Sequence, residues 1–362
     1  MTASRRLAVL LTAALLATAP SWSLAAPPAA KTGSAAVSPS MQAVLDYVQS
    51  QKTTGFVIWR EGKPLVARNW PLPPSEEQFR RTLAYETLPD GELLEDIASQ
   101  QKSFVSFLVA VAIDKGLIDV EKPVSAYVGR GWSKATPEQE VAIRVIDVLN
   151  MSSGLTTQFT YAAPPATHFL YNTPVYAITK QVLAAAAHRS LDDITRDWLT
   201  KPGGLTHTTW RKRPEAMGDV GNPTGLVTSP SDTARFGQII LDGGRAASGR
   251  RLVSEASFRA MFARSPTNPG YGRLWWLNGS AYYIHNPDRR VEGPIVPAAP
   301  TDLIAAWGAN DRKLHIVPSL KLVVVRMGPP TPDRDFEQQL WLRLGPALAE
   351  RMGASSGRGN IP

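Results

Sequence analysis

The chain contains no cysteine. That excludes disulfides, thiolate metal sites and a cysteine nucleophile, and it excludes an N-terminal cysteine as a point of lipid attachment. Histidine is scarce, with five residues at positions 168, 188, 207, 285 and 315, and no two have the spacing of a metal pair. No metal or organic cofactor is therefore expected. The sequence also lacks a GxGxxG loop, a Walker A loop, an HExxH helix and a GxSxG elbow. Dense runs of Lys and Arg are absent despite a net charge of +8 and a pI near 9.7. Arg211-Lys212-Arg213 and Arg289-Arg290 are short and sit among turn residues, so they read as scattered surface charge rather than a nucleic-acid footprint.

The 362 residues carry 43% hydrophobic side chains, enough for one large core. A long apolar run occurs once, near the start. Arg5 and Arg6 precede Leu7–Ala19, and small residues follow at Ser23-Leu24-Ala25-Ala26. This is the order of a secretory signal, too short and wrongly flanked for a stable membrane span. Residues 1–25 are expected to be a signal peptide, of the general or the twin-arginine type, and 26–40 a flexible Ala/Pro/Ser leader. The mature protein is expected to be periplasmic or secreted, without stable membrane insertion.

Residues 55–60 and 64–68 flank Glu61-Gly62-Lys63 and predict a hairpin. Residues 303–307, 314–317 and 322–326 predict further strands, and a last helix is expected over about 336–351. Strands thus gather at both ends of the chain. The expected fold is α+β: a central antiparallel sheet from 41–95 and 266–350, flanked by helices, with an all-helical lobe over about 96–265. Residues 351–362 read as a frayed tail.

Chemistry is carried by Ser99-Gln100-Gln101-Lys102, the single SxxK tetrad in the chain. Residues Ala98 through Val111 predict an apolar helix with Ser99 in its first turn, and a spacing of three puts Lys102 beside Ser99. A helix N-terminus supplies free N–H groups suited to an oxyanion. A buried lysine has a lowered pKa and can take the serine proton. Taken alone, the tetrad reads better as Ser99 capping a helix and Lys102 as a surface charge.

Its surroundings decide. Asp96 to Phe104 resembles the nucleophile segment of the β-lactamase-related serine hydrolases, a family of class C β-lactamases, DD-peptidases, esterases and amidases. The similarity continues in order through Val148–Leu155, Phe169-Leu170-Tyr171-Asn172-Thr173, Gly225–Gly237, Tyr271–Trp276 and the closing strands, covering about residues 41–350. The resemblance implies a β-lactamase/transpeptidase-like fold and an acyl-enzyme on Ser99. It implies that Tyr171 shares proton transfer with Lys102, as a phenol poised toward phenolate by the nearby cation. Two departures stand out. Thr173 occupies the place where the family usually has Asn, so Asn172 or Thr173 faces the site. The family's cation-bearing strand motif corresponds to Ala306-Trp307-Gly308, which has no cation. The resemblance then makes Trp307 an apolar wall, Gly308 a point of close approach, and Asn310 part of the pocket. It gives the second oxyanion donor to the Ala309 N–H, beside that of Ser99. Arg312 or Lys313 could stand in for the missing cation, or belong to a solvated strand end. Gly225 reads as the turn before a helix capped by Ser231. The expected substrate is a small ester, amide or lactam, with esters favoured. The alternative is a penicillin-recognising or wall-fragment-binding sensor that does not turn over.

Overall fold

A computed structural model describes residues 37–285 and 289–356, with side chains to 350. The expected signal peptide, most of the leader and the last six residues lie outside the described residues.

Helix α1 (Pro39–Ser50) is capped by Ser38, and Met41, Val44, Leu45 and Val48 form its buried stripe. The hairpin β1 (Gly55–Arg60) and β2 (Lys63–Asn69) follows, turning through Glu61 and Gly62, both at positive φ. Next come α2 (Glu77–Thr82), β3 (Ala84–Thr87) and β4 (Leu93–Asp96). A single 3-10 turn at Ala98–Gln100 leads into α3 (Gln101–Asp114). Every residue of α3 from Gln101 to Ala112 is buried, so it runs through the molecule as an all-round apolar helix. Short helices lead to α4 (Thr173–Ala187), then β5 (Thr209–Lys212), β6 (Thr224–Thr228) and α5 (Pro230–Leu241). Small strands β7 (Tyr271–Gly272), β8 (Trp275–Leu277), β9 (Tyr282–Ile284) and β10 (Arg290–Glu292) precede β11 (Ile304–Gly308), β12 (Arg312–Val317) and β13 (Leu322–Met327). Helix α6 (Phe336–Ser356) closes the described chain, one turn beyond the expected end.

Seven strands form an antiparallel sheet in the order β2-β1-β13-β12-β11-β8-β7. This central sheet with helices on both faces is the expected α+β architecture. Alternation along β12 and β13 sorts the two faces. Leu314 and Val323 meet Gly237 of α5, where an added Cβ would lie 2.5 Å from Val323, while His315 and Arg326 face Trp341 and Phe336 of α6. The middle of the chain corrects one expectation. It is not all helical, because β5 and β6 join β3 and β4 in a second, four-stranded sheet. The run Gly225-Leu226-Val227-Thr228 is a buried strand rather than a helix entry, being short, apolar and rich in β-formers. The helix after it is capped by Ser229, whose Oγ accepts from the Asp232 N–H; Ser231 instead donates to Glu92.

Candidate active site

Ser99 sits where the second sheet hands the chain to α3. Asp96 ends β4, and its Oδ1 accepts the Ala98 N–H at 2.8 Å. Ala98 is thereby held at φ +49°, an uncommon left-handed conformation for a residue with a Cβ. The Asp96 carboxylate is fully buried and receives a bidentate ion pair from Arg213, Nε at 2.7 Å and Nη2 at 3.1 Å. Arg213 also donates to the Asn222 carbonyl at 2.9 Å. Gly225 of β6 makes room for this pair, since a Cβ there would lie 1.9 Å from Asp96 Oδ2. The glycine is needed for close approach and not for a turn.

Lys102, on the first turn of α3, places Nζ 2.9 Å from Ser99 Oγ and 3.1 Å from Thr173 Oγ1. The rings of Tyr171 and Tyr176 enclose it, with centroids 4.8 and 4.7 Å away. Burial, then the positive charges of Arg213 and Lys180, hold the amine well below the usual lysine range. Tyr171 behaves differently from the expectation. Burial pushes its phenol up to about 12, against the opposing pull of the Ser99 hydroxyl. The burial that lowers the amine also disfavours a phenolate, so Tyr171 stays a phenol at neutral pH.

Asn172 does not face the site. It is buried, its Oδ1 caps α4 by accepting from the Val175 N–H at 3.1 Å, and its Nδ2 donates to the Leu155 carbonyl at 2.9 Å. Cap geometry turns the side chain at this position toward its own helix, and Thr173 takes the place beside Lys102. Trp307 is also displaced. Alternation along β11 puts Ala306 and Gly308 toward the Ser99 turn and Trp307 on the α6 face, where its indole N–H donates to Glu337 at 2.7 Å. Gly308 presses against the Ser99 turn, since a Cβ there would lie 2.4 Å from the Ile97 carbonyl oxygen. Ala309 and Asn310 do line the cavity beside Ser99, a cleft of about 400 Å³ that also meets Thr173, Arg213, Asn222 and the apolar Leu83, Met217 and Val220. Neither stand-in cation is free. Arg312 is buried against Glu95 at 3.1 Å, and Lys313 pairs with Glu337 at 3.1 Å on the far face.

Sequence reasoning passed over Asp96, Arg213 and Asn222 as working groups and held Thr173 as the alternative to Asn172. Arg213 was grouped with its exposed neighbours as surface charge, yet its side chain is only 7% exposed. No local signal in the sequence sets it apart from Arg211 and Lys212. Among the described residues no group of three or more His, Asp or Glu could hold a metal ion, and no helix is long and apolar enough to cross a membrane.

A family model described as Beta-lactamase matches residues 42–305. No curated protein matches the chain. Among solved structures, a Bacteroides dorei protein provisionally named a β-lactamase superposes with a TM-score of 0.65 at 12% identity, covering 86% of this chain and 98% of that one. EstCE1, described as a hydrolase with promiscuous acyltransferase activity, gives 0.60 at 13% identity over 85% and 100%. A penicillin-binding protein homologue from Caulobacter crescentus gives 0.60 at 12% identity over 86% and 99%. At these identities the likeness fixes the fold, and the fold alone hosts several reactions.

Proposed function

Because the chain belongs to the β-lactamase family, we propose that it is an exported serine hydrolase that cleaves esters through an acyl-enzyme on Ser99. The observation that carries the reading is a buried amine 2.9 Å from a serine hydroxyl at a helix entry. The neutral Lys102 lone pair accepts the Ser99 proton as Oγ attacks the ester carbonyl. The Ser99 and Ala309 N–H groups hold the resulting oxyanion. Collapse of the tetrahedral intermediate breaks the bond to the leaving oxygen. The Tyr171 phenol, re-protonated by Lys102, supplies the proton to that alkoxide. Water, deprotonated by the same pair, then releases the acid and restores Ser99. Thr173 orients the amine by sharing its second polar contact.

Esters are favoured over lactams because, among the described residues, the cleft beside Ser99 offers a substrate carboxylate no unpaired cation. Arg213 is committed to Asp96, Arg312 to Glu95 and Lys313 to Glu337. Export rests on the basic and apolar N-terminal pattern. The test is intact-mass spectrometry of the purified protein with a fluorophosphonate, beside Ser99→Ala. One adduct on the parent and none on the variant is expected, with steady turnover of a chromogenic ester exceeding that of a chromogenic lactam. No adduct on either protein overturns the reading. A single equivalent of ester cleaved without further turnover would replace it with the sensor alternative.

A further inference from the structure

Lys180 is a buried lysine that the proposed chemistry does not use, yet it stands close behind the chemistry. It lies on α4 in line with Thr173 and Tyr176, at helical spacings of seven and four residues, on the stripe that faces Lys102. Its Nζ donates to Asn222 Oδ1, to Thr224 Oγ1 at 2.6 Å and to the Thr224 carbonyl at 3.0 Å, and lies 5.1 Å from the centre of the Trp210 ring. Asn222 in turn gives its carbonyl to Arg213, which clasps Asp96, which shapes the Ser99 turn. A polar chain thus runs from Lys180 to the Ala98 N–H of the turn that carries Ser99, with two cations and one carboxylate along it.

We propose that Lys180 is a positioning residue for acylation: its ammonium, anchored on Asn222 and Thr224, is a second fixed positive charge behind Lys102 and keeps Lys102 a free base. The three oxygen acceptors around Nζ are those an ammonium requires, and among the described residues no carboxylate touches it to cancel the charge. Burial and then Arg213 lower the Lys180 pKa while Asp96 raises it, leaving it at about 7. Lys180 is therefore charged below neutral pH, where its charge opposes protonation of Lys102. The other charged or titratable groups facing the two lysines are Arg213, Asp96, Tyr171 and Tyr176. Of these Asp96 alone is anionic, and Arg213 is paired with it.

The inference rests on Lys102 as the base of Ser99. Its test is the pH dependence of fluorophosphonate labelling, whose acid limb reports Lys102 in the free protein. In Lys180→Met the limb is expected to move to higher pH by about half a unit or more, the scale of losing one interior positive charge. In Lys180→Arg, charged at every pH, it is expected to stay at or below the parent's position. A limb unmoved in Lys180→Met overturns the proposal, whereas absence of labelling in the parent at every pH overturns the base assignment instead. Should Lys180→Met fail to fold, the Lys180 13Cε shift of the parent protein decides by NMR. A Lys180 that is neutral throughout the acid limb refutes the proposal, and one that is charged across it supports it.

Discussion

Gly225→Ala tests the claim that a missing Cβ in β6 is what allows the Ser99 turn to exist. The new methyl carbon would lie 1.9 Å from Asp96 Oδ2, 2.4 Å from Cγ and 2.7 Å from Oδ1. Carbon contacts are comfortable only at about 3.5 Å or more, so carboxylate or strand must move by more than 1 Å on the scale of such contacts. The carboxylate cannot move alone. It holds Arg213 by two bonds and the Ala98 N–H by a third, all inside the protein. The strand cannot move alone either, because Val227 pairs with Asp96 and Thr228 with Glu95. Breaking a buried ion pair costs about 3–5 kcal/mol. With partial relaxation, Gly225→Ala is expected to cost about 3 kcal/mol, a large share of the 5–15 kcal/mol typical of a folded domain. Urea unfolding followed by tryptophan fluorescence measures it, and the labelling rate of Ser99 should fall in the same variant under native conditions. The cause is isolated by a cycle with Asp96→Ala. If the methyl destabilises by striking the carboxylate, Gly225→Ala should cost far less in that background. A cost below about 0.5 kcal/mol in the parent, or one undiminished when Asp96 is shortened, would refute the reasoning.

Asn172 and Thr173 are adjacent and should separate cleanly. Asn172→Ala removes a helix cap and a buried amide bond, for an expected loss of about 2 kcal/mol of stability in urea unfolding. Thr173→Val leaves the cap and removes the oxygen 3.1 Å from Lys102. It should leave the unfolding midpoint nearly unchanged and slow Ser99 labelling about tenfold, the worth of one hydrogen bond. Glu337 tests the opposite face of the sheet. Burial alone would raise its pKa, but Lys313, together with hydrogen bonds from His315 and Lys313, brings it down to about 2. A carboxyl lowered on folding stabilises above its unfolded pKa, and that share is lost as pH falls through its folded one. Glu337→Gln should therefore cost about 3 kcal/mol at pH 7. The gap should close between about pH 4.5 and about pH 2 in denaturant titrations, and a gap independent of pH would contradict the assignment.

Much of the frame was legible because its strands and helices carry strong local signals. The hairpin at 55–68 has a turn glycine between β-formers, and Leu322–Val325 is an unbroken apolar run. The SxxK tetrad was visible for the same reason, since i and i+3 on one helix are neighbours by geometry alone. The groups that act across distance were not legible. Asp96 and Arg213 are 117 residues apart, and nothing local marks Arg213 as different from the exposed Arg211 and Lys212 beside it. β5 and β6 were missed because each has five residues or fewer, and they join the sheet only through β4, far earlier in the chain. Asn172 and Thr173 could not be ordered from sequence. Which of the two faces Lys102 depends on where the first helical turn begins, a matter of one residue.

Strand parity explains the remaining departures together. The period of a strand is two, so placing Ala306, Trp307 and Gly308 in one pocket asks neighbours to face the same way. β11 instead sends Ala306 and Gly308 toward α3, and Trp307 toward Glu337. The pairing carries the same split to β12. Arg312, opposite Gly308, lies on the nucleophile's side but is neutralised by Glu95, and Lys313, opposite Trp307, lies on the other. Gly308 must stay small because the Ile97 carbonyl leaves no room for a side chain there. Restoring a usable cation would therefore require freeing Arg312 from Glu95, a pair with both partners fully buried. Removing Glu95 to do so would leave an uncompensated interior charge at a cost of about 3–5 kcal/mol. Freeing a cation beside Ser99 is thus tied to the stability of the strand pair there, and no surface substitution releases Arg312.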